Sequence, residues 1–357
     1  MKKNKRAIIF YKDHSNLINK YILKKINFNN TIVVNPYLKI YFVPLIKTLL
    51  NFNFNLRNFF YEYWKNVLIY YKIDCCITAI DNSGFFQKLA FLSNPIKRKI
   101  FFFSIQNGLR RKNLNLPDYN SIHFCHGNYD EKLLNKINKN KGEIIKTGSF
   151  FYNLKYKKSS KKKKLKKVLS FISQVDSNAV SCTYKENPNN YIIKIKTKFF
   201  LKHIKKFLNE NKNFFLNILT FENSFQEKNF YKNSLSGLDN YKIIEKKNHY
   251  DNYRFIDVSD CNITINSTLG FESLVCNKVI FLDNYFVKSL KPDLFGNPSF
   301  ILREKSYDQF KKKIVFFSNM KYNKFLKNYK NEISYFMYKK NQKALEIIKS
   351  NIIKKIS

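Results

Sequence analysis

The stretch Asp260-Cys-Asn-Ile-Thr-Ile-Asn-Ser-Thr-Leu-Gly-Phe-Glu-Ser-Leu-Val-Cys-Asn-Lys-Val-Ile280 decides the fold. The short apolar run Asn262–Ile265 reads as a buried parallel strand. Asn266-Ser267-Thr268 follow as a small polar turn, a helix runs from Leu269 to Cys276, and a second strand occupies Val279–Leu282. Free backbone N–H groups and the helix dipole make such a helix start a natural place for phosphate. Ser267 and Thr268 add hydroxyl donors, Gly270 lets a ligand approach the backbone, and Glu272, one turn in, is placed to accept hydrogen bonds from ribose hydroxyls. A purely structural reading fits the same residues: Ser or Thr capping a helix, with Glu favourable in its first turn.

Outward from this segment the pattern repeats. Ala7–Tyr11, Thr31–Val34, Ile73–Ile80, Ile100–Ser104, Ser121–Cys125 and Ile144–Thr147 are short apolar runs of strand character. Helical stretches lie between them at Asn16–Lys25, Leu56–Lys72, Gly84–Leu92 and Asp130–Asn138. The like-charge run from Lys155 to Lys167 repels itself and marks a solvated linker. Strand-like Val168–Ile172 restarts the alternation, with a helix near Lys196–Asn211, strands at Phe214–Leu219 and Lys242–Ile244, and a short helix around Tyr250–Val258. Basic helical sequence closes the chain at Ser306–Phe317 and Tyr322–Ile356. With 357 residues and roughly 100–200 residues per domain, the expectation is two α/β domains, 1–154 and 168–320, joined by a linker at 155–167 and followed by a helical segment at 321–357. Strands alternating with helices predict parallel sheets covered on both faces.

Open α/β sheets bind ligands beyond the C-terminal ends of their strands, which singles out four loops. Lys12-Asp13-His14-Ser15 follows the first strand, and Asp13 or His14 could take a proton from an acceptor hydroxyl. Asp81-Asn82 follows the strand ending at Ile80, and Asp81 is a third candidate base. Gln106-Asn107-Gly108, with Arg110 close behind, offers amide and guanidinium donors for sugar hydroxyls or phosphate. Ser173-Gln174 follows the first strand of the second half as a further candidate ligand loop. Turn chemistry explains Asp81-Asn82 and Asn107-Gly108, and helix capping explains Asp13, without any ligand.

Asn266-Ser-Thr-Leu-Gly-Phe-Glu-Ser-Leu274, preceded by Asp260 and followed by Lys278-Val-Ile280, resembles the donor-site segment of glycosyltransferases with the GT-B fold. Ile77-Thr-Ala-Ile-Asp-Asn-Ser-Gly-Phe-Phe86 and Phe103-Ser-Ile-Gln-Asn-Gly-Leu-Arg110 together resemble the bacterial family of surface-carbohydrate (O-antigen or capsule) biosynthesis proteins. The resemblance spans roughly residues 70–285. It implies two Rossmann-like domains facing a cleft, the first for an acceptor and the second for a nucleotide-sugar donor. Ser267, Thr268, Leu269, Gly270 and Glu272 would then contact the donor, with Ser173 and Gln174 beside them, and Asn82, Gln106, Asn107, Gly108 and Arg110 would face the acceptor side. The activity implied is sugar transfer to a lipid-linked or growing polysaccharide; the same fold also admits a polyol-phosphate transferase.

Composition narrows the classes. Hydrophobic residues make up 44% and aromatics 17%, enough for packed cores rather than disorder. Sixty-six Lys and Arg against 25 Asp and Glu give a net charge of +41. An anionic partner explains that excess, and so does an A+T-rich coding sequence, since Lys, Asn, Ile, Phe and Tyr are abundant together. Nucleic-acid binding is the alternative class, but no zinc finger or RNP1-like sequence is present and Lys is spread over the whole chain. An anionic membrane surface is an expected partner of Lys157–Lys167 and the basic C-terminal helix. The six cysteines include no Cys-x-x-Cys pair, which suits a cytoplasmic setting without disulfides. No Asp-x-Asp, Gly-x-Gly-x-x-Gly, Gly-x-x-x-x-Gly-Lys-[Ser/Thr] or Gly-x-Ser-x-Gly occurs, so no metal and no cofactor are expected. His123-Phe-Cys-His126 has no third ligand nearby and reads as structural.

Overall fold

In the computed structural model the apolar runs pair into two parallel sheets. The structure describes residues 5–28, 30–50, 56–93, 99–110, 120–137, 142–155, 165–246, 251–282, 285, 299–303, 305–338 and 343–357. The chain divides into two units, residues 1–154 with 338–357, and residues 155–337.

In the first unit β1 (Arg6–Phe10), β2 (Asn30–Val34), β3 (Cys75–Thr78), β4 (Phe101–Ile105), β5 (Ile122–Cys125) and β6 (Ile144–Lys146) lie in the order β2-β1-β3-β4-β5-β6. Every neighbouring pair is parallel. Ala7–Phe10 and the whole of β3 are buried, as expected of strands covered on both faces. Phe10 packs edge-on against Trp64, ring centroids 5.4 Å apart, and against Phe86 at 5.6 Å. Trp64 lies on the helix Leu56–Tyr70 and Phe86 on the helix Gly84–Ser93, so one aromatic cluster locks two helices onto the sheet.

In the second unit β7 (Lys167–Ile172), β8 (Phe214–Leu219), β9 (Tyr241–Ile244), β10 (Cys261–Thr264) and β11 (Val279–Phe281) take the order β11-β10-β7-β8-β9, again all parallel. Phe171 of β7 stacks on Phe200 at 4.3 Å, holding the helix Pro188–Glu210 against the sheet. Asp260 accepts from Val168 N at 2.7 Å and donates its own N–H to Val168 O at 2.7 Å. It therefore works at the N-terminal end of the sheet, away from the ligand-binding ends. Lys278 is buried and donates to Met320 O at 2.6 Å and Ser318 O at 3.3 Å, a cation placed on the last carbonyls of the helix Tyr307–Asn319.

Several local expectations change. The helix expected near Lys196–Asn211 begins at Pro188, because Asn187 caps it by accepting from Asn190 N at 3.1 Å and proline suits the first turn. Asn16–Lys25 is a turn of α-helix at Ser15–Ile18, a π segment at Asn19–Leu23 and a 3₁₀ turn at Lys24–Ile26, ended by Asn27 at φ 64°. The apolar run after Ile40 forms a helix, Phe42–Leu50, to which the sequence pattern assigned no element. Tyr322–Ile356 is three helices, Tyr322–Asn328, Lys330–Phe336 and Ala344–Ile356, of which the last belongs to the first unit. Most of the expected linker, residues 156–164, lies outside the described residues, as do Asn138 and Tyr250. No helix among the described residues is long and apolar enough to cross a membrane.

Candidate functional site

Each sheet reverses its strand order once, between β1 and β3 in the first unit and between β7 and β10 in the second. In open α/β sheets the loops that leave the strands at such a reversal run to opposite faces, and ligands bind outside the strand ends there.

In the first unit, Tyr11 and His14 take left-handed backbone angles, φ 69° and 60°, uncommon for residues with bulky side chains. The Tyr11 hydroxyl meets Ser83 Oγ at 2.5 Å, tying the loop after β1 to the loop after β3. Burial pushes the Tyr11 phenol up to about 12. Asp13 is exposed, and half-buried His14 has its ring 4.3 Å from that of Phe151.

Behind these loops lies a buried ionic cluster. Asp81 is fully buried; its Oδ2 accepts from Arg110 Nε at 3.0 Å and its Oδ1 from Arg110 Nη2, with Asn107 N at 3.3 Å. Burial pushes the Asp81 carboxyl up, and the bidentate guanidinium opposes that. Arg110 also donates from Nη2 to Asn107 Oδ1 at 3.1 Å, and its backbone N–H reaches Asp130 Oδ1 at 3.2 Å. Gln106 donates to Gly108 O at 2.7 Å and accepts from His126 N at 3.0 Å. His123 Nδ1 lies 2.8 Å from Ser104 Oγ, and its Nε2 lies 3.9 Å from Asp81 Oδ2. Burial holds the His123 imidazole well below its ordinary range and His126 at about 3, and raises Asp130 to about 7. Neither ring nitrogen of His126 has a hydrogen-bond partner among the described residues.

Two sequence expectations are corrected here. Asp81 cannot serve as a catalytic base, because it is inaccessible and both its oxygens are held by Arg110. Arg110 and Gln106 are buried and turned inward rather than out to a ligand, Arg110 giving Nε and Nη2 to Asp81 and Asn107 and Gln106 giving Nε2 to Gly108 O. Asn82 is exposed and Asn107 and Gly108 are half-buried, so these three keep access to solvent at the strand ends.

In the second unit the two loops at the reversal are joined by a reciprocal amide pair. Gln174 donates from Nε2 to Asn266 Oδ1 at 3.0 Å, and Asn266 N donates back to Gln174 Oε1 at 2.8 Å. Ser173 is corrected from ligand contact to internal tie: it donates to Glu227 at 2.7 Å and accepts from Tyr231 at 2.7 Å and Val175 N at 3.2 Å. Glu227 in turn accepts from the backbone N–H groups of Phe221, Glu222 and Asn223 at 2.8, 3.0 and 3.0 Å, fixing the loop after β8.

Ser267, Thr268 and Leu269 are half-buried beside the amide pair. Ser267 sits at the N-cap of the helix Thr268–Ser273 and makes no side-chain capping hydrogen bond, so capping does not account for its hydroxyl. A Cβ at Gly270 would lie 2.4 Å from Thr264 Cγ2. The space at Gly270 is therefore filled by β10 rather than left for a ligand, which corrects the reason for that glycine. Glu272 is 3% exposed, and its Oε2 accepts from the Tyr253 hydroxyl at 2.5 Å.

Sequence reasoning missed Tyr11, Ser83, Asp130, Asn266 as the partner of Gln174, Glu227 and Tyr253. Only Asn266 carried a signal, since it opens the small-residue turn; the others depend on pairings between distant loops.

Two parallel-sheet Rossmann-like domains of this kind form a GT-B-like fold. UDP-GlcNAc 2-epimerase from Neisseria meningitidis bound to UDP-GlcNAc aligns over 98% of this chain and 99% of its own, with 14% identity and a TM-score of 0.60. The Methanocaldococcus jannaschii UDP-GlcNAc 2-epimerase, in complex with UDP-GlcNAc and UDP, aligns over 98% and 99% at 16% identity and a TM-score of 0.56. The wall teichoic acid polymerase TagF aligns over 99% of this chain and 89% of its own at 14% identity and a TM-score of 0.55. No curated protein matches in sequence. A family model described as "putative O-antigen biosynthesis protein" matches residues 103–307, more than half of the chain. The chain belongs to this O-antigen biosynthesis protein family.

Proposed function

We propose that the protein is a glycosyltransferase that binds a nucleotide-sugar donor at the C-terminal ends of β7 and β10 and transfers its sugar to an O-antigen precursor. The observation that carries this reading is the arrangement at the reversal of the second sheet: the Gln174–Asn266 pair spans the opening, and Ser267 stands beside it with its hydroxyl not used as a cap. Backbone N–H groups and hydroxyls of Ser267 and Thr268 would hold the diphosphate without a metal. Glu272 would receive the ribose hydroxyls, sharing its carboxylate with Tyr253. With Asp81 excluded, Asp13 and His14 are the groups for taking the acceptor proton, and Asn82, Asn107 and Gly108 line the acceptor side.

UDP-GlcNAc is the first donor to test, since proteins of similar fold bind it. A nucleotide sugar that binds the folded state raises the thermal midpoint, and Ser267→Ala should reduce that rise. No shift with any nucleotide sugar would overturn the reading. Nucleotide-sugar epimerisation is a second reading, supported by the near full-length alignment with two epimerases of that fold. Product analysis separates the two: transfer requires an acceptor and releases the nucleotide, whereas epimerisation proceeds without one and keeps the sugar nucleotide-bound.

A further inference from the structure

The helix Phe42–Leu50 is turned inside out. It buries Pro44 and Thr48; the Thr48 hydroxyl donates to Pro44 O at 2.7 Å and accepts from Asn66 Nδ2 at 2.9 Å. While Leu45 packs against the core, five of the helix's six large apolar side chains, Phe42, Val43, Ile46, Leu49 and Leu50, are exposed, Phe42 at 77% and Leu50 at 80%. At about 100° per residue they fall on one stripe about 120° wide, bordered by Lys47. Tyr37, Leu38 and Ile40 extend the surface on the N-terminal side. Lys47 Nζ lies 5.8 Å from the Tyr70 ring, which joins exposed Tyr70 and Ile69 to it. Scattered apolar side chains on a protein surface are ordinary, but a continuous face of this kind marks a docking surface.

Charge selects the occupant. Between Asp13 and Glu62 the sequence has no acidic residue, while Lys39 and Lys47 lie within the segment that forms the face. A second copy seated on this face by two-fold symmetry would bring one acid-free, lysine-bearing surface against another, in a chain whose net charge is already +41. We propose that this face docks the protein onto a bilayer containing anionic phospholipid, with the stripe entering the interfacial region and the lysines among the headgroups. The surface follows β2, at the C-terminal end of the first sheet. Tyr37 lies 5.9 Å, ring to ring, from Phe85, on the helix that follows the Asp81-Asn82 loop. Docking would hold those strand ends close to the lipid surface. The inference stands apart from the donor reading, and neither depends on the other.

The test is co-sedimentation of the full chain with vesicles of phosphatidylcholine alone and of phosphatidylcholine with phosphatidylglycerol. Binding is expected only to the vesicles with phosphatidylglycerol. The double variant Phe42→Ser, Leu50→Ser should bind at least about tenfold more weakly, with an unchanged thermal midpoint because both side chains are already exposed. Lys39→Gln with Lys47→Gln should weaken binding at low salt. The proposal is overturned if the apolar variant binds like the wild type, if both vesicle types bind equally, or if the wild type leaves vesicles unbound and forms a dimer that Phe42→Ser dissociates.

Discussion

The two sheet reversals solve the same problem with different chemistry. In the first unit the loops meet through Tyr11 and Ser83, above a buried ionisable set: the Asp81–Arg110 pair, Asp130, and two imidazoles whose basicity burial suppresses. In the second they meet through the neutral amides of Gln174 and Asn266, half-buried and flanked by hydroxyls. Buried charges must be neutralised internally, so the first unit's ionic groups are committed to one another and fix the loop geometry. Neutral amides and hydroxyls are cheap to leave partly solvated and can exchange water for a ligand. The difference suggests a rigid platform in the first unit and an adaptable polar opening in the second.

The largest effect should come from breaking the platform. Arg110→Leu leaves Asp81 buried and unpaired, and should cost about 3–5 kcal/mol. Urea unfolding read from the fluorescence of Trp64, the single tryptophan and a member of the same unit, measures it. Replacing Asp81 as well, by Leu, should recover part of the loss, because no charge is then stranded. A loss below about 1 kcal/mol would show that the ionic cluster is not what holds the first unit's loops.

Acidity tests the same cluster more gently. Asp130 is raised to about 7 in the folded protein, against roughly 4 when unfolded. Stability from this group is therefore complete below about pH 4 and is lost as pH rises through about 7. His126, lowered from 6.5 to about 3, acts the other way: its contribution is complete above pH 6.5 and is lost as pH falls through about 3. Between about pH 4 and 6.5 the two slopes oppose each other. Asp130→Asn keeps an acceptor for Arg110 N and removes the falling slope, so its urea midpoint should climb more steeply than the wild type's across that interval. An unchanged profile would mean that Asp130 does not titrate as its burial requires.

The alternation of strands and helices was legible because buried parallel strands are uninterrupted apolar runs, such as Ala7–Phe10 and Cys261–Thr264. The small-residue turn at Asn266-Ser267-Thr268 was legible for the same reason: composition changes sharply where a strand ends. Roles were less so. Asp81 and Arg110 looked like ligand groups because sequence does not report that a carboxylate at one strand end meets a guanidinium 29 residues later. Ser173 misled in the same way, its partners Glu227 and Tyr231 lying on a later helix. The helix Phe42–Leu50 went unassigned because Ile40–Ile46 is a nearly continuous apolar run interrupted by Pro44, and such runs do not separate helix from strand by periodicity.

Gly270→Ala probes how the second unit's opening is built. The added methyl would clash with Thr264 Cγ2 at 2.4 Å, and overpacking of this kind costs about 1–3 kcal/mol. Thr264→Ser removes that methyl while keeping the hydroxyl that bonds Ser267 N at 3.3 Å. The double variant should therefore regain most of the loss in thermal unfolding. If it does not, the glycine serves something other than packing against β10.

The smallest effect on stability should come from Gln174→Ala. It removes two hydrogen bonds between partly solvated neutral groups, worth together about 0.5–1.5 kcal/mol, because water can replace both. Its effect on ligand binding should be disproportionate. The pair fixes the distance between the loops after β7 and β10, so on the proposed reading a nucleotide sugar would have to order those loops itself without it, and its affinity should fall about tenfold or more. Calorimetric titration beside urea unfolding gives both quantities on one sample. A variant that loses several kcal/mol of stability yet binds normally would reverse the comparison, making the amide pair a structural clamp and leaving the ligand to groups elsewhere.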